Sequence, residues 1–214
     1  MSSRILRGLI VTVGTMAGLA CGDYSQSTSP ASYKALPPTL IVRTSFTMLS
    51  SGTRARAVRW GPAHSTVEQS ISAVIGPDGG TLSVPGSDFA MEIPSGALAA
   101  PTTITVVAQA GPHVAYEMLP HGLRFLKPVT AVQGLRNTAA FGSRAGGALR
   151  AAYLPEGREN IAIDDSANPS ELEAGATYYY GSEPVAESQV WSMHHFSRYI
   201  LISGVLTCVD ECER

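Results

Sequence analysis

From residue 69 onward, short runs of apolar and β-branched residues alternate with turns rich in Gly and Pro. The runs return about every 8–12 residues, a spacing typical of an antiparallel sandwich. In an extended strand over Thr102–Ala108, Ile104, Val106 and Ala108 share one face, and this more apolar face is predicted to point into the core. No long amphipathic helix is visible. The pattern predicts an all-β protein whose body, from residue 69 onward, is an antiparallel β-sandwich.

A turn sequence, Asp78-Gly79-Gly80, follows the apolar residues Val74 and Ile75 and precedes Thr81 and Leu82. Glycine at such a position supplies the positive φ that tight hairpin turns require. We therefore predict a sharp turn here.

Residues 39–69 are predicted to be an N-terminal extension with a strand over Thr39–Leu49. In this extension Arg54, Arg56 and Arg59 alternate with apolar residues and Trp60 follows. Alternation favours a strand with one solvated face, whereas three arginines beside a tryptophan also fit an anionic lipid or a phosphate.

Residues 1–20 are predicted to be a secretory signal peptide. Arg4 and Arg7 precede the uncharged run Gly8–Ala20. This run is shorter than the roughly 20 residues that a membrane-spanning helix needs, but it suits the apolar part of a signal sequence.

The sequence Ala17–Cys21 resembles the lipobox of bacterial lipoproteins, with Gly18 at the place where Leu is usual. The resemblance implies a lipid, such as palmitate, on Cys21, and hence an exported, lipid-anchored protein of the cell envelope. Gly22, rather than Asp, follows the cysteine, which in Gram-negative lipoproteins favours the outer membrane. The alternative is ordinary signal cleavage near Ala20, which would leave Cys21 as a free or disulfide-bonded thiol. Residues 21–38 are rich in Ser, Thr and Pro and are predicted to form a flexible tether.

Charge and cysteine content limit the classes of function. The chain has 15 Lys and Arg against 17 Asp and Glu, a net charge of −2, so nucleic acid is not an expected partner. In the C-terminal tail, residues 205–214, Cys208 and Cys212 are predicted to form a disulfide after export. Their acidic neighbours are hard oxygen donors that do not suit a thiolate metal site. The sequence predicts no metal ion and no cofactor.

A stretch of acidic residues precedes the last strands. It is predicted to be a solvated loop, with calcium binding as the alternative. Its members are Glu156, Glu159, Asp164, Asp165, Glu171 and Glu173.

Three segments, Ile75–Leu82, Met91–Leu98 and Pro101–Val106, resemble the ZU-five domain of zonula occludens proteins, ankyrins, netrin receptors and many exported bacterial proteins. Gly122–Val129 continues the match, with Leu126 where an acidic residue is common, and His195–Tyr199 resembles the closing strand. The resemblance covers residues 70–204. It implies a single antiparallel β-sandwich, and in this family such domains act mostly through protein–protein contacts.

The tripeptide His195-Phe196-Ser197 is the one candidate reaction site in the sequence. In some ZU-five proteins such a tripeptide cleaves itself between Phe and Ser, which implies His195 as the base and Ser197 as the nucleophile. A structural role fits as well, because an alternating strand would place Phe196 in the core and the two polar side chains opposite it.

Three functions remain open on the sequence alone. We favour an envelope-anchored module that binds an unidentified envelope protein or has a structural role. The alternative is a self-processing module that cleaves the Phe196–Ser197 bond. The third is a carbohydrate-binding sandwich that uses Trp60, Trp191 or the run Tyr178–Tyr180, provided that these aromatic rings are exposed.

Overall fold

The computed structural model describes residues 46–64, 66–142, 149–179 and 186–206. These residues form fourteen strands and contain no helix. Cys21, Tyr180, Cys208 and Cys212 lie outside the described residues, as do the predicted signal peptide and tether. No helix in the described ranges has the length and apolar character needed to cross a membrane.

The strands are short and are separated by turns, as the sequence pattern predicts. In chain order they are β1 Thr47–Met48, β2 Arg54–Ala57, β3 Gln69–Ile75, β4 Gly80–Val84, β5 Phe89–Ile93, β6 Thr102–Ala108, β7 Ala115–Leu119, β8 Arg124–Gly134, β9 Arg150–Leu154, β10 Ser166–Ala167, β11 Glu171–Leu172, β12 Gly175–Tyr179, β13 Ala186–His195 and β14 Arg198–Leu206.

The strands form two antiparallel sheets. The nine-stranded sheet has the order β1-β11-β9-β14-β7-β6-β3, and β2 adds to it by pairing with both β14 and β10. The five-stranded sheet has the order β12-β13-β8-β5-β4. The predicted all-β sandwich is therefore confirmed. Both strands described in the predicted N-terminal extension, β1 and β2, belong to the larger sheet.

The main core lies between the sheets and receives alternate side chains from both. On β6, Ile104 and Val106 are fully buried and Ala108 is almost so, as predicted. They share one cluster with Met91 of β5 and Trp191 of β13. The period of two in the sequence thus identifies the inward face of β6, because successive side chains of a strand point to opposite sides.

A second apolar cluster packs around β14, outside the main core. Ala55 and Ala57 of β2 pack there with Ile200 and Ile202 of β14. The intervening arginines are exposed, so β2 is the strand with one solvated face that its alternation predicts. Two of the arginines for which anion binding was the alternative are paired with acids. Arg54 Nη2 lies 3.1 Å from Asp164 Oδ2, and Arg59 Nη1 lies 2.7 Å from Asp165 Oδ1.

The turn at Asp78-Gly79-Gly80 leads from β3 in one sheet to β4 in the other. Gly79 has a φ of 79°, which confirms the positive φ predicted for this turn. A Cβ on Gly79 would lie 2.2 Å from the Ile93 carbonyl oxygen. The turn therefore requires glycine both for its conformation and for the closeness of the neighbouring backbone.

Candidate functional site

The tripeptide singled out in the sequence joins the two sheets. β13 ends at His195 in the five-stranded sheet, and β14 begins at Arg198 in the nine-stranded sheet. Only Phe196 and Ser197 cross between them. The chain must therefore change direction sharply at the peptide bond that the sequence marks as the candidate for cleavage.

Phe196 anchors this connection in the core. Its side chain is completely buried and meets the Phe125 ring edge to face, with the ring centres 4.8 Å apart. Its N–H donates to the Leu123 carbonyl oxygen at 2.8 Å, and its own carbonyl oxygen accepts from Gly122 N–H at 3.0 Å. Phe196 points into the core as predicted. The expectation of one alternating strand is wrong, however, because Phe196 and Ser197 lie in the connection between β13 and β14.

His195 lies at the edge of the main core, next to an acidic residue and two tyrosines. Its Nε2 is 3.7 Å from Glu171 Oε2, and the two side chains are 20% and 15% exposed. The Tyr153 ring packs edge to face with the imidazole, and the two ring centres are 5.1 Å apart. Tyr199 O–H donates to the His195 carbonyl oxygen at 2.8 Å. Among the described residues, the Ser197 hydroxyl forms no hydrogen bond with the imidazole.

Strand register brings the acidic and aromatic side chains to this place. Glu171 of β11 lies opposite Tyr153 of β9, and Tyr153 lies opposite Tyr199 of β14. Residues directly opposite each other in a sheet project from the same face. The three side chains therefore form a row on one face of the nine-stranded sheet, and the end of β13 faces this row.

Glu173 is the most buried charged residue of this group. It is only 4% exposed. Burial raises its pKa to about 7, and the nearby Glu171 carboxylate adds to the rise. Burial also raises the pKa of the neighbouring Tyr199 hydroxyl well above its usual value. The prediction that the acidic stretch is a solvated loop is wrong for Glu173, because the chain after β11 continues along β9, where Glu173 N–H donates to the Ala151 carbonyl oxygen.

Another part of the acidic stretch faces a separate groove. This groove has a volume of about 500 Å³ and is lined by Arg59, His113, Ile163 and Asp165, among others. Asp165 Oδ1 lies 2.8 Å from His113 Nε2 and 2.7 Å from Arg59 Nη1. The His113 hydrogen bond, with a smaller contribution from Arg59, lowers the pKa of Asp165. Ile163 is fully exposed.

The predicted site residues fall into two groups. His195, Phe196 and Ser197 are adjacent in the connection between β13 and β14, whereas Cys21, Cys208 and Cys212 lie outside the described residues. Sequence reasoning did not place Glu171 and Glu173 beside His195. One sequence feature could have indicated that the two glutamates act together. They are two residues apart, which puts both carboxylates on the same face of an extended chain.

Both tryptophans considered for sugar binding are buried. Trp60 is 7% exposed and Trp191 is 2% exposed. Trp60 stacks on His64, with ring centres 3.7 Å apart. Neither indole presents the open ring face that a carbohydrate platform requires.

In comparisons with known proteins, no family model and no curated protein matches this chain. The ZU-five resemblance therefore stays a prediction that rests on the quoted motifs.

Proposed function

We propose that this protein is a lipid-anchored protein of the cell envelope that presents a ZU-five-like β-sandwich as a protein-binding or structural module. The observation that carries the proposal is the lipobox-like sequence Ala17–Cys21, which follows a positively charged and apolar leader. Several acyl chains on one cysteine anchor a protein stably, since each buried CH₂ contributes about 0.8 kcal/mol. The tether of residues 21–38 then separates the sandwich from the bilayer.

The groove beside Arg59 and His113 supports a binding role. It is a concave surface that combines charged side chains with the fully exposed Ile163, and binding sites are typically concave with a few placed polar groups. The third function, carbohydrate binding, loses support because both tryptophans are buried.

Replacing Cys21 with alanine should abolish lipid attachment. Cells fed a labelled fatty acid should incorporate label into the wild-type protein, and Cys21→Ala should be unlabelled and leave the precursor uncut. Cys208→Ala is the matched control and should be labelled like the wild type. A wild-type protein that takes up no label would contradict the anchor.

The binding role is checked in the same cells. A photo-crosslinker placed at Ile163, on the groove, should capture one discrete envelope protein. A crosslinker at Leu126, which is 73% exposed and does not line the groove, is the control and should not capture it. Equal capture at both positions would mean that the groove has no binding role.

A second function, self-cleavage between Phe196 and Ser197, is favoured by one specific contact. Gly122 N–H donates to the Phe196 carbonyl oxygen, so it already faces the oxygen on which negative charge would develop during attack. The neighbouring His195 imidazole is the nearest base in sequence.

The reaction is an N-to-O acyl shift followed by hydrolysis. Ser197 Oγ attacks the Phe196 carbonyl carbon while His195 takes the hydroxyl proton. The Phe196–Ser197 C–N bond then breaks, and the imidazolium returns the proton to the leaving nitrogen. Water hydrolyses the ester, leaving a carboxylate on Phe196 and a free amino group on Ser197.

Cleavage should leave a noncovalent complex, because β14 is a central strand. β14 pairs with β2, β7 and β9. Intact-mass measurement should therefore give the fragment Ser197–Arg214 only after denaturation. Ser197→Ala should abolish the fragment, and Ser197→Cys, which keeps a nucleophile, should retain it.

Ser203→Ala, on the same strand, is the matched control and should be cleaved like the wild type. A single full-length species in denatured wild-type protein would rule out self-cleavage. That result would leave the binding role untouched.

A further inference from the structure

The cluster around His195 contains three metal-ligating side chains, two of them from neighbouring positions and the third from a different strand. The donor atoms of Glu171, Glu173 and His195 all lie within 4.8 Å of one another. Zn–O and Zn–N distances of about 2.0–2.2 Å place neighbouring donors of a tetrahedral site roughly 3.3–3.5 Å apart. The three donors therefore surround a position that small side-chain movements would convert into a metal site.

A second observation is that the buried Glu173 carboxyl group has no cationic partner among the described residues. This residue is only 4% exposed, and a buried carboxylate is costly unless it is paired or hydrogen-bonded. The Tyr199 hydroxyl lies beside it, but its single proton is also directed to the His195 carbonyl oxygen. One neutral hydroxyl, shared in this way, does not neutralise the charge of the carboxylate.

The part of the chain that the structure describes supplies no lysine or arginine to this cluster. Among the described residues, no Lys or Arg forms an ion pair with Glu171 or Glu173. Two carboxylates and one imidazole thus face each other with no fixed positive charge between them. A divalent cation at this position would neutralise both carboxylates.

We propose that Glu171, Glu173 and His195 bind one divalent transition-metal ion, with Zn²⁺ as the preferred ion. The mixed set of one imidazole nitrogen and two carboxylate oxygens suits Zn²⁺, whereas Mg²⁺ and Ca²⁺ favour oxygen donors alone. Glu171 and His195 are each partly exposed, so the ion has a route from solvent and room for a water ligand.

The bound ion would link the two sheets. Glu171 belongs to β11 in the nine-stranded sheet, and His195 ends β13 in the five-stranded sheet. The link lies directly before the Phe196–Ser197 connection. Because Glu171 and His195 belong to different sheets, an ion held by both would fasten this end of the sandwich. The inference does not depend on the proposed binding role, and an imidazole that holds the ion would not be free to act as the base for self-cleavage.

The test is a Zn²⁺ titration of the purified full chain. Calorimetry measures binding, and thermal unfolding measures the change in Tm. The wild type should bind one equivalent of zinc at this site, and its Tm should rise with zinc but not with an equal concentration of Mg²⁺. Glu173→Gln and His195→Gln should each weaken binding at least tenfold and abolish the zinc-dependent rise in Tm.

Two controls separate this cluster from other zinc ligands in the chain. His121→Gln removes a second His–Glu pair, in which His121 Nε2 lies 3.1 Å from Glu117 Oε1. This variant should leave zinc affinity unchanged. A variant with serine at positions 208 and 212 should also bind like the wild type. With Co²⁺ in place of Zn²⁺, the spectrum should lack a thiolate charge-transfer band.

Three results would overturn the proposal. They are the absence of zinc binding by folded wild-type protein, undiminished affinity in both Glu173→Gln and His195→Gln, and loss of binding only in the cysteine variant. Far-UV circular dichroism of each variant verifies that the sandwich is folded before its affinity is compared.

Discussion

Phe196→Ala should lower the free energy of unfolding by about 3–5 kcal/mol, the usual range for a fully buried phenylalanine. The Phe196 side chain is completely buried and packs edge-on against Phe125. Phe196 is one of the two residues that join β13 to β14. Its truncation would therefore leave a cavity at the point where the two sheets are linked. Urea denaturation followed by tryptophan fluorescence measures the loss.

Phe141→Ala is the matched control. Phe141 is 45% exposed, so the same truncation leaves little cavity there and should cost less than about 1 kcal/mol. Equal losses for the two variants would show that Phe196 does not occupy the core.

This prediction also bears on self-cleavage. The Phe196 ring holds the connection in place, and its carbonyl oxygen faces Gly122 N–H. Truncation of the ring would loosen the geometry that a reaction at this bond requires. Ser197→Ala, in contrast, removes the nucleophile and leaves the buried ring in place. Comparing the two variants therefore distinguishes a loss of stability from a loss of the reacting group.

The second large effect is expected for Gly79→Ala. Gly79 combines a φ of 79° with a neighbouring carbonyl oxygen that would lie only 2.2 Å from a new Cβ. Real Cβ atoms do not approach oxygen so closely, so the backbone of the turn or of the Ile93–Ser95 segment must move. The turn joins β3 to β4 across the two sheets, and movement there disturbs both.

Gly157→Ala is the control that isolates the close contact from the strained conformation. Gly157 has the same φ of 79°, but nothing lies within 4 Å of the position that a Cβ would take. Gly157→Ala should therefore cost about 1 kcal/mol, the penalty of a left-handed non-glycine residue. Gly79→Ala should cost at least about 2 kcal/mol more. Equal losses of thermal stability would contradict this explanation.

Local patterns in the sequence predict the class of fold and much of the core. Alternation in Thr102–Ala108 identifies the buried side chains of β6, and alternation of arginine with alanine identifies β2. The glycine-containing turn at residues 78–80 is likewise where the sequence places it. These features depend on neighbours in the chain, because strand periodicity and turn conformation are local properties.

The pairing of strands could not be predicted in the same way. Nothing in the run after His195 indicates that β13 and β14 belong to different sheets, or that β14 pairs with β2, β7 and β9. Partners in a sheet are selected by packing over long sequence separations, which a local pattern does not encode.

The sequence alone determined the all-β class, the alternating core of β6 and the positive φ of the turn at Gly79. Only the tertiary structure placed Glu171 and Glu173 beside His195 and buried Glu173 in a stretch that looks solvated. The physical reason is register: the pairing of β11 with β9, and of β9 with β14, determines which side chains share a face. Chemistry that depends on such cross-strand neighbours exists only once the sheets have assembled.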